Sequence, residues 1–276
     1  MTTIKIARLI TGTLLREGAG VKLHRYIGLI RQNDFDPILL LDFFDSDNEL
    51  DYMGGFPPHP HRGFETVTYM LSGKMEHQDN KGHRGIIGPG DVQWMTAGRG
   101  IIHSEMPKQT QGQLTGLQLW FNLPAANKWV EPRYQEYKAT QLPVETHSSG
   151  LSIKVIAGKT DQGTQSPIDG IATQPIFLDI SFAIEEKIDQ HIPEGHQAIL
   201  FTLAGEVTIE GQVVAEKVLA DLSEGTRVSL AGKPGTRCLL VAAQKIKEPI
   251  AWLGPFVMNT QQEVRQALED YRNDRF

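Results

Sequence analysis

Gly63-Phe-Glu-Thr-Val-Thr-Tyr-Met-Leu-Ser-Gly73-Lys-Met75 and, 132 positions later, Gly195-His-Gln-Ala-Ile-Leu-Phe-Thr-Leu-Ala-Gly205-Glu-Val207 follow one plan. Each is a strand-like run that enters a glycine-containing turn and leaves as a second strand. A repeat of this length points to duplication of a whole β domain and not to a solenoid. Outward from the repeat, the chain continues as short apolar or alternating runs: Ile38–Phe44, Glu65–Leu71, Leu114–Leu123, Leu151–Ala157, Ile176–Phe182, Ala198–Leu203 and Cys238–Ala243. Turn signals such as Asp79-Asn80-Lys81-Gly82 and Gly88-Pro89-Gly90-Asp91 separate them. The class is therefore all-β. A short helical turn is expected around Ala125–Val130, and sustained helical spacing occurs only at the C-terminus. There Thr260-Gln-Gln-Glu263 has the form of a capping box ahead of Val264, Ala267, Leu268 and Tyr271. The boundary between halves is expected in the polar stretch Lys138–Gly150, giving an N-terminal domain 1–140 and a C-terminal domain 141–276 that includes the helix.

The length of 276 residues suits one large or two ordinary domains, and 40% hydrophobic with 22% charged residues is a globular composition. A net charge of −6 argues against direct nucleic-acid or anionic-membrane binding. Cys238 is the single cysteine, so no intrachain disulfide forms, and its apolar neighbours predict a buried strand residue. The N-terminal residues lack the apolar core of a secretory signal and no run approaches a membrane span, so a cytoplasmic location is expected.

Two ligand-X-ligand pairs carry the chemistry: His59-Pro-His61 and His103-Ser-Glu105. Strand side chains alternate faces, so residues i and i+2 point the same way. A lone His-X-His pair is most often hydrogen-bonded surface histidine. A second pair in a separate expected strand makes a metal site the stronger reading. Pro60 removes a ladder donor and places its strand at a sheet edge or opening. Gly98 and Gly100 permit a tight turn before the second pair. Mixed N/O ligation with open positions suits a catalytic first-row divalent ion. Iron(II) leads, with manganese, nickel, cobalt, copper and zinc as alternatives. Glu65 competes with Glu105 for the carboxylate role but lies about 13 Å along the strand from His61, so Glu105 is preferred. In the repeat alignment His59 falls opposite His191, His61 opposite Pro193, and Val228–Ala243 holds neither His nor Glu. One metal per chain, in the first half, is expected. His77 and His83 flank a turn and read as solvated. Arg62 and Arg99 read as anion partners or ordinary ion pairs. Trp94, Met95, Trp120 and Phe121 read as core, some of them walling a cavity.

The stretches Phe56–Tyr69, Gly90–Glu105 and Leu117–Pro124, with the tail Gly254-Pro-Phe-Val-Met-Asn-Thr, closely resemble the pirin family. The resemblance implies a bicupin: two antiparallel cupin (jelly-roll type) β-barrels with a C-terminal helix. It implies one metal, commonly iron, held by the residues matching His59, His61, His103 and Glu105, and a metal-free second cupin. Two activities follow from it. One is a quercetin 2,3-dioxygenase-type reaction with a flavonol-like molecule and O2, in which Glu105 takes the hydroxyl proton as catalytic base and carbon monoxide leaves. The other is a redox-sensitive regulator that binds a transcription factor or metabolic enzyme. A bicupin that buries one barrel against another is expected to be a monomer. No particular substrate-binding residue is singled out.

Overall fold

The computed structural model describes residues 2–29, 34–109 and 111–276. Strands dominate it, and among the described residues the one α-helix is Gln261–Arg272. The expected strands appear with their ends moved by a residue or two: Phe64–Ser72, for example, covers the Glu65–Leu71 run. The chain divides into two compact units, Thr13–Ala139 with Ile246–Phe276, and Met1–Gly12 with Thr140–Lys245.

In the first unit a seven-stranded antiparallel sheet runs in the order Arg133–Tyr137, Val92–Thr96, Phe64–Ser72, Leu114–Asn122, Ile38–Ser46, Val21–Ile27, Thr13–Glu17. A four-stranded sheet runs Phe56–His61, Ile101–Pro107, Met75–Asp79, Arg84–Ile87. Leu23, Phe44, Met70 and Leu114 of the large sheet meet Met75 and Ile87 of the small one in a shared core. The second unit has the same plan. Its large sheet runs Ile6–Thr11, Val218–Leu222, His196–Ala204, Arg237–Gln244, Ile176–Ser181, Ser152–Ala157, Val144–Thr146. Its small sheet runs Glu186–His191, Arg227–Gly232, Val207–Ile209, Gln212–Val214. Phe64–Ser72 and His196–Ala204, the two copies of the repeat, both stand third in their sheets. Cys238 is buried in the second unit, as its apolar run predicts.

The contiguous division 1–140 and 141–276 is corrected at both ends. Ile6–Thr11 pairs with Val218–Leu222 and is the edge strand of the second unit's large sheet, a position that Arg133–Tyr137 fills in the first unit. The C-terminal segment cannot supply that strand because it is committed elsewhere. Its hairpin Ala251–Leu253/Phe256–Met258 exchanges backbone hydrogen bonds with Arg62 of the first unit. The helix then buries Val264 beside Ala251 and Met258. It starts at the expected capping box: the Thr260 hydroxyl accepts from Glu263 N, while Glu263 accepts from Thr260 N.

The turn that follows His61 is held by a buried lysine. Lys128 is 1% exposed, and its ammonium donates to Gly63 O, Asn122 Oδ1 and Val257 O at 2.7–2.8 Å. Three acceptors take three N–H donors, which joins the turn, the end of a central strand and the C-terminal hairpin at one point. Replacing Lys128 with Met leaves those acceptors buried and unpaired and is expected to destabilise the fold by about 3 kcal/mol or more, read from the denaturant midpoint. Burial pushes the Lys128 ammonium from 10.5 down to about 7, against the opposing pull of Glu248 and Glu263. Between these values the unfolded chain binds the extra proton, so this residue's contribution to stability rises as pH climbs from about 7 and is complete above 10.5. Unfolding free energies measured across that window should show the slope in the native chain and lack it in Lys128→Met.

Candidate metal centre

The two ligand-bearing strands are antiparallel neighbours. His103 pairs with His59 and Ile101 with His61, so the three imidazoles share one face of the small sheet. Phe56–His61 is the edge strand, as Pro60 requires. The register slips between His103 and Glu105, where Glu105 meets Phe56 and not Pro57. Pro57 and Pro58 have no N–H to give, and the ladder is interrupted there. The turns that start and end these strands are stitched together by Gly63 N donating to Gly98 O at 2.8 Å. Gly63 has φ +87°, and a Cβ there would lie 2.0 Å from Val257 O, so the turn admits only glycine.

One nitrogen from each of His59, His61 and His103 lies within 4.8 Å of the others. Ring centroids are 4.5 Å apart for His59–His103, 4.7 Å for His59–His61 and 4.9 Å for His61–His103. His59 Nδ1 is 2.8 Å from Pro57 O, which can only accept, so Nδ1 carries the proton and Nε2 presents its lone pair. That lone pair faces His61 Nε2 at 3.0 Å. His61 Nδ1 and both ring nitrogens of His103 are buried and lack hydrogen-bond partners among the described residues. Burial, reinforced by the neighbouring imidazoles, holds His61 and His103 well below the usual histidine range, and burial lowers His59 as well. Neutral imidazoles whose ring nitrogens converge in a buried cluster fit a cation. These three histidines could hold a metal ion.

Glu105 opens onto the same space but is not part of the converging cluster. Gln118 Nε2 donates to its Oε2 at 3.1 Å, and the Thr68 hydroxyl lies 3.1 Å from its Oε1 and 2.6 Å from Gln118 Oε1. Burial raises the Glu105 carboxyl to about 7, opposed by Thr68 and Gln118. His77, read from sequence as a solvated turn residue, is instead 1% exposed, with Nδ1 3.5 Å from Glu105 Oε1. Its strand, Met75–Asp79, pairs His77 directly with Glu105, so both face inward. The alternation of Met75 and His77 was the available signal. Burial brings His77 down to about 3.

A cavity of about 760 Å³ adjoins the cluster, within the range of small-molecule pockets. His59, His61 and Glu105 reach it at one end, and Leu40, Phe44, Trp120 and Trp252 wall it. Trp120 packs edge-on against His61 with centroids 5.2 Å apart, whereas Trp94 stacks on Phe121 in the core. Glu65 takes a hydrogen bond from Thr96 at 2.6 Å, and burial raises its carboxyl to about 6. It stays outside the histidine cluster. Arg62 pairs with Asp270 at 2.7 Å in a buried contact, whereas Arg99 pairs with Glu131 at 2.9 Å at the surface. Among the described residues no helix is long and apolar enough to cross a membrane.

Comparison with known proteins agrees with this architecture. The family models described as Pirin and Pirin C-terminal cupin domain match residues 20–121 and 177–276. A pirin-like protein of Caulobacter vibrioides is 44% identical, covering 98% of each chain. Human pirin is 41% identical over 93% of this chain and 88% of its own. Among solved structures, quercetin 2,3-dioxygenase from Acinetobacter baumannii superposes with a TM-score of 0.89 at 31% identity, covering 99% of this chain and 98% of that one. The two units are thus cupin domains, and the chain belongs to the pirin family.

Proposed function

We propose that His59, His61 and His103, with Glu105 as the fourth donor, hold one divalent first-row metal ion, iron(II) first, and that the adjoining cavity is where a flavonol-like enol is opened by O2. The carrying observation is the convergence of three imidazoles beside a cavity that receives the Glu105 carboxylate and is walled in large part by apolar side chains. The similarity to the Acinetobacter quercetin 2,3-dioxygenase supports the substrate class. When bound, the ion supplies Lewis-acid polarisation of the enol oxygen and a site that brings O2 to the ring.

The protein's own groups do the rest. Glu105 accepts the enol proton at a carboxylate oxygen, and Gln118 and Thr68 fix the direction in which that carboxylate points. The Pro57 carbonyl locks the His59 tautomer, so its Nε2 stays available. Trp120, Leu40 and Phe44 accept the planar ring and keep water from it. Overall, one flavonol and one O2 give one ring-opened ester and one carbon monoxide.

Metal-loaded protein should consume quercetin and release carbon monoxide in equal amount; failure to do so with every first-row metal would sink this reading. A protein that keeps its metal through such a failure would instead fit a regulatory module. Glu105→Gln should lower kcat by about 10²- to 10⁴-fold, the usual contribution of a positioned base. His61→Ala should weaken metal binding at least about 100-fold by calorimetric titration. Unchanged affinity would remove that histidine from the ligand set.

A further inference from the structure

Four polar side chains cross the floor of the cavity in one row. Register pairs Arg25 with Asp42, Asp42 with Gln118, and Gln118 with Thr68, across four adjacent strands of the large sheet. Directly paired residues share a face, and all four line the cavity. Apolar rows flank them: Leu40 pairs with Trp120 on one side, and Phe44 with Gly116 on the other. A Cβ on Gly116 would lie 2.5 Å from the Phe44 ring, so the glycine lets that ring lie flat. The row ends in Glu105 on the metal side, through Thr68 and Gln118. At the other end stands an ion cluster. Arg25 grips Asp42 with two hydrogen bonds of 2.8 Å and reaches Glu17 at 3.0 Å. Asp42 lies two strand spacings from Thr68, about 10 Å.

We propose that the Asp42 carboxylate, held in place by Arg25, is a specificity subsite that accepts hydrogen bonds from hydroxyl groups on the ligand ring remote from the metal centre, so the cavity selects planar polyphenols over analogues lacking those hydroxyls. The inference rests on the small-molecule reading of the cavity given above. Arg25 commits Nε–H and one Nη2–H to Asp42 and one Nη1–H to Glu17, and the carboxylate oxygens so held keep lone pairs that can accept from a ligand hydroxyl. A ligand seated over them removes their water. An unsubstituted aromatic edge returns no donor, whereas a phenol does, and a site whose buried polar groups go unpaired rejects the poorer ligand. Flanking rows of Leu40, Trp120 and Phe44 confine the ligand to a flat shape.

The test is equilibrium binding to metal-loaded protein, with quercetin, 3-hydroxyflavone, and quercetin methylated at every hydroxyl except that of the enol. Quercetin should bind at least about tenfold tighter than 3-hydroxyflavone, and methylation, which removes the donors and keeps the oxygens, should abolish the advantage. In Asp42→Asn the ratio of the first two affinities should fall towards one. Equal binding of quercetin and 3-hydroxyflavone by the native protein overturns the proposal, as does a ratio that survives in Asp42→Asn or tight binding of the methylated ligand. Should Asp42→Asn not fold, the three-ligand series on native protein still decides. Selective binding without turnover leaves the subsite standing and removes the dioxygenase reading; turnover with no selectivity does the reverse.

Discussion

The antiparallel pairing of Phe56–His61 with Ile101–Pro107 is the constraint on which the rest of the site depends. It sets His103 opposite His59 and leaves His61 one pleat further along the same face. A slip of one residue would turn the imidazoles of one strand away from those of the other. The protein fixes that register from outside the ladder. Gly63 N bonds to Gly98 O across the two flanking turns, and Lys128 ties Gly63 to Asn122 and Val257. An edge strand containing Pro57, Pro58 and Pro60 has few backbone bonds of its own to define position, so these external anchors supply what the ladder cannot.

The same register explains what was legible in the sequence. His59-X-His61 and His103-X-Glu105 depend on alternation within a strand, a local property that any reading of the chain contains. The duplication, the edge position of the proline-rich strand and the capped C-terminal helix are likewise local patterns. His77 escaped because its inward direction depends on where Met75–Asp79 begins, next to a turn that suggested solvent. The row Arg25, Asp42, Gln118 and Thr68 is invisible in sequence, since its members come from four strands separated by long connections. The terminal segments were misassigned for a related reason. An edge slot is filled by whichever strand is free to reach it, and chain order does not say which that is.

Burial also sorts the charged groups into those that build the fold and those that face the cavity. Lys128 is enclosed by three acceptors, and Arg62 is sealed against Asp270 with its guanidinium 4.3 Å from the centre of the Phe276 ring. Neither group lines the cavity beside the histidines. Glu105 differs, because its two polar neighbours hold it while the cavity remains open to it. Desolvation raises both Glu65 and Glu105, but only Glu105 adjoins a space where a substrate can stand.

Two units of one topology thus reach opposite interiors. In the second, Ile188, Val207, Ile209, Val228 and Leu230 of the small sheet pack with Ile153, Val155, Leu178, Ile180 and Leu200 of the large one in a single continuous core. There His191 stands opposite Arg227, and Arg227 pairs with Asp189, so no imidazoles converge. In the first unit the cavity and its polar row take up part of the corresponding interior. A hollow, partly polar interior forgoes contact and hydrophobic stabilisation that a filled one keeps. Where the first small sheet carries its histidines, the second turns aliphatic side chains into its core. The first could not do so and still keep three converging imidazoles beside a cavity that the Glu105 carboxylate faces.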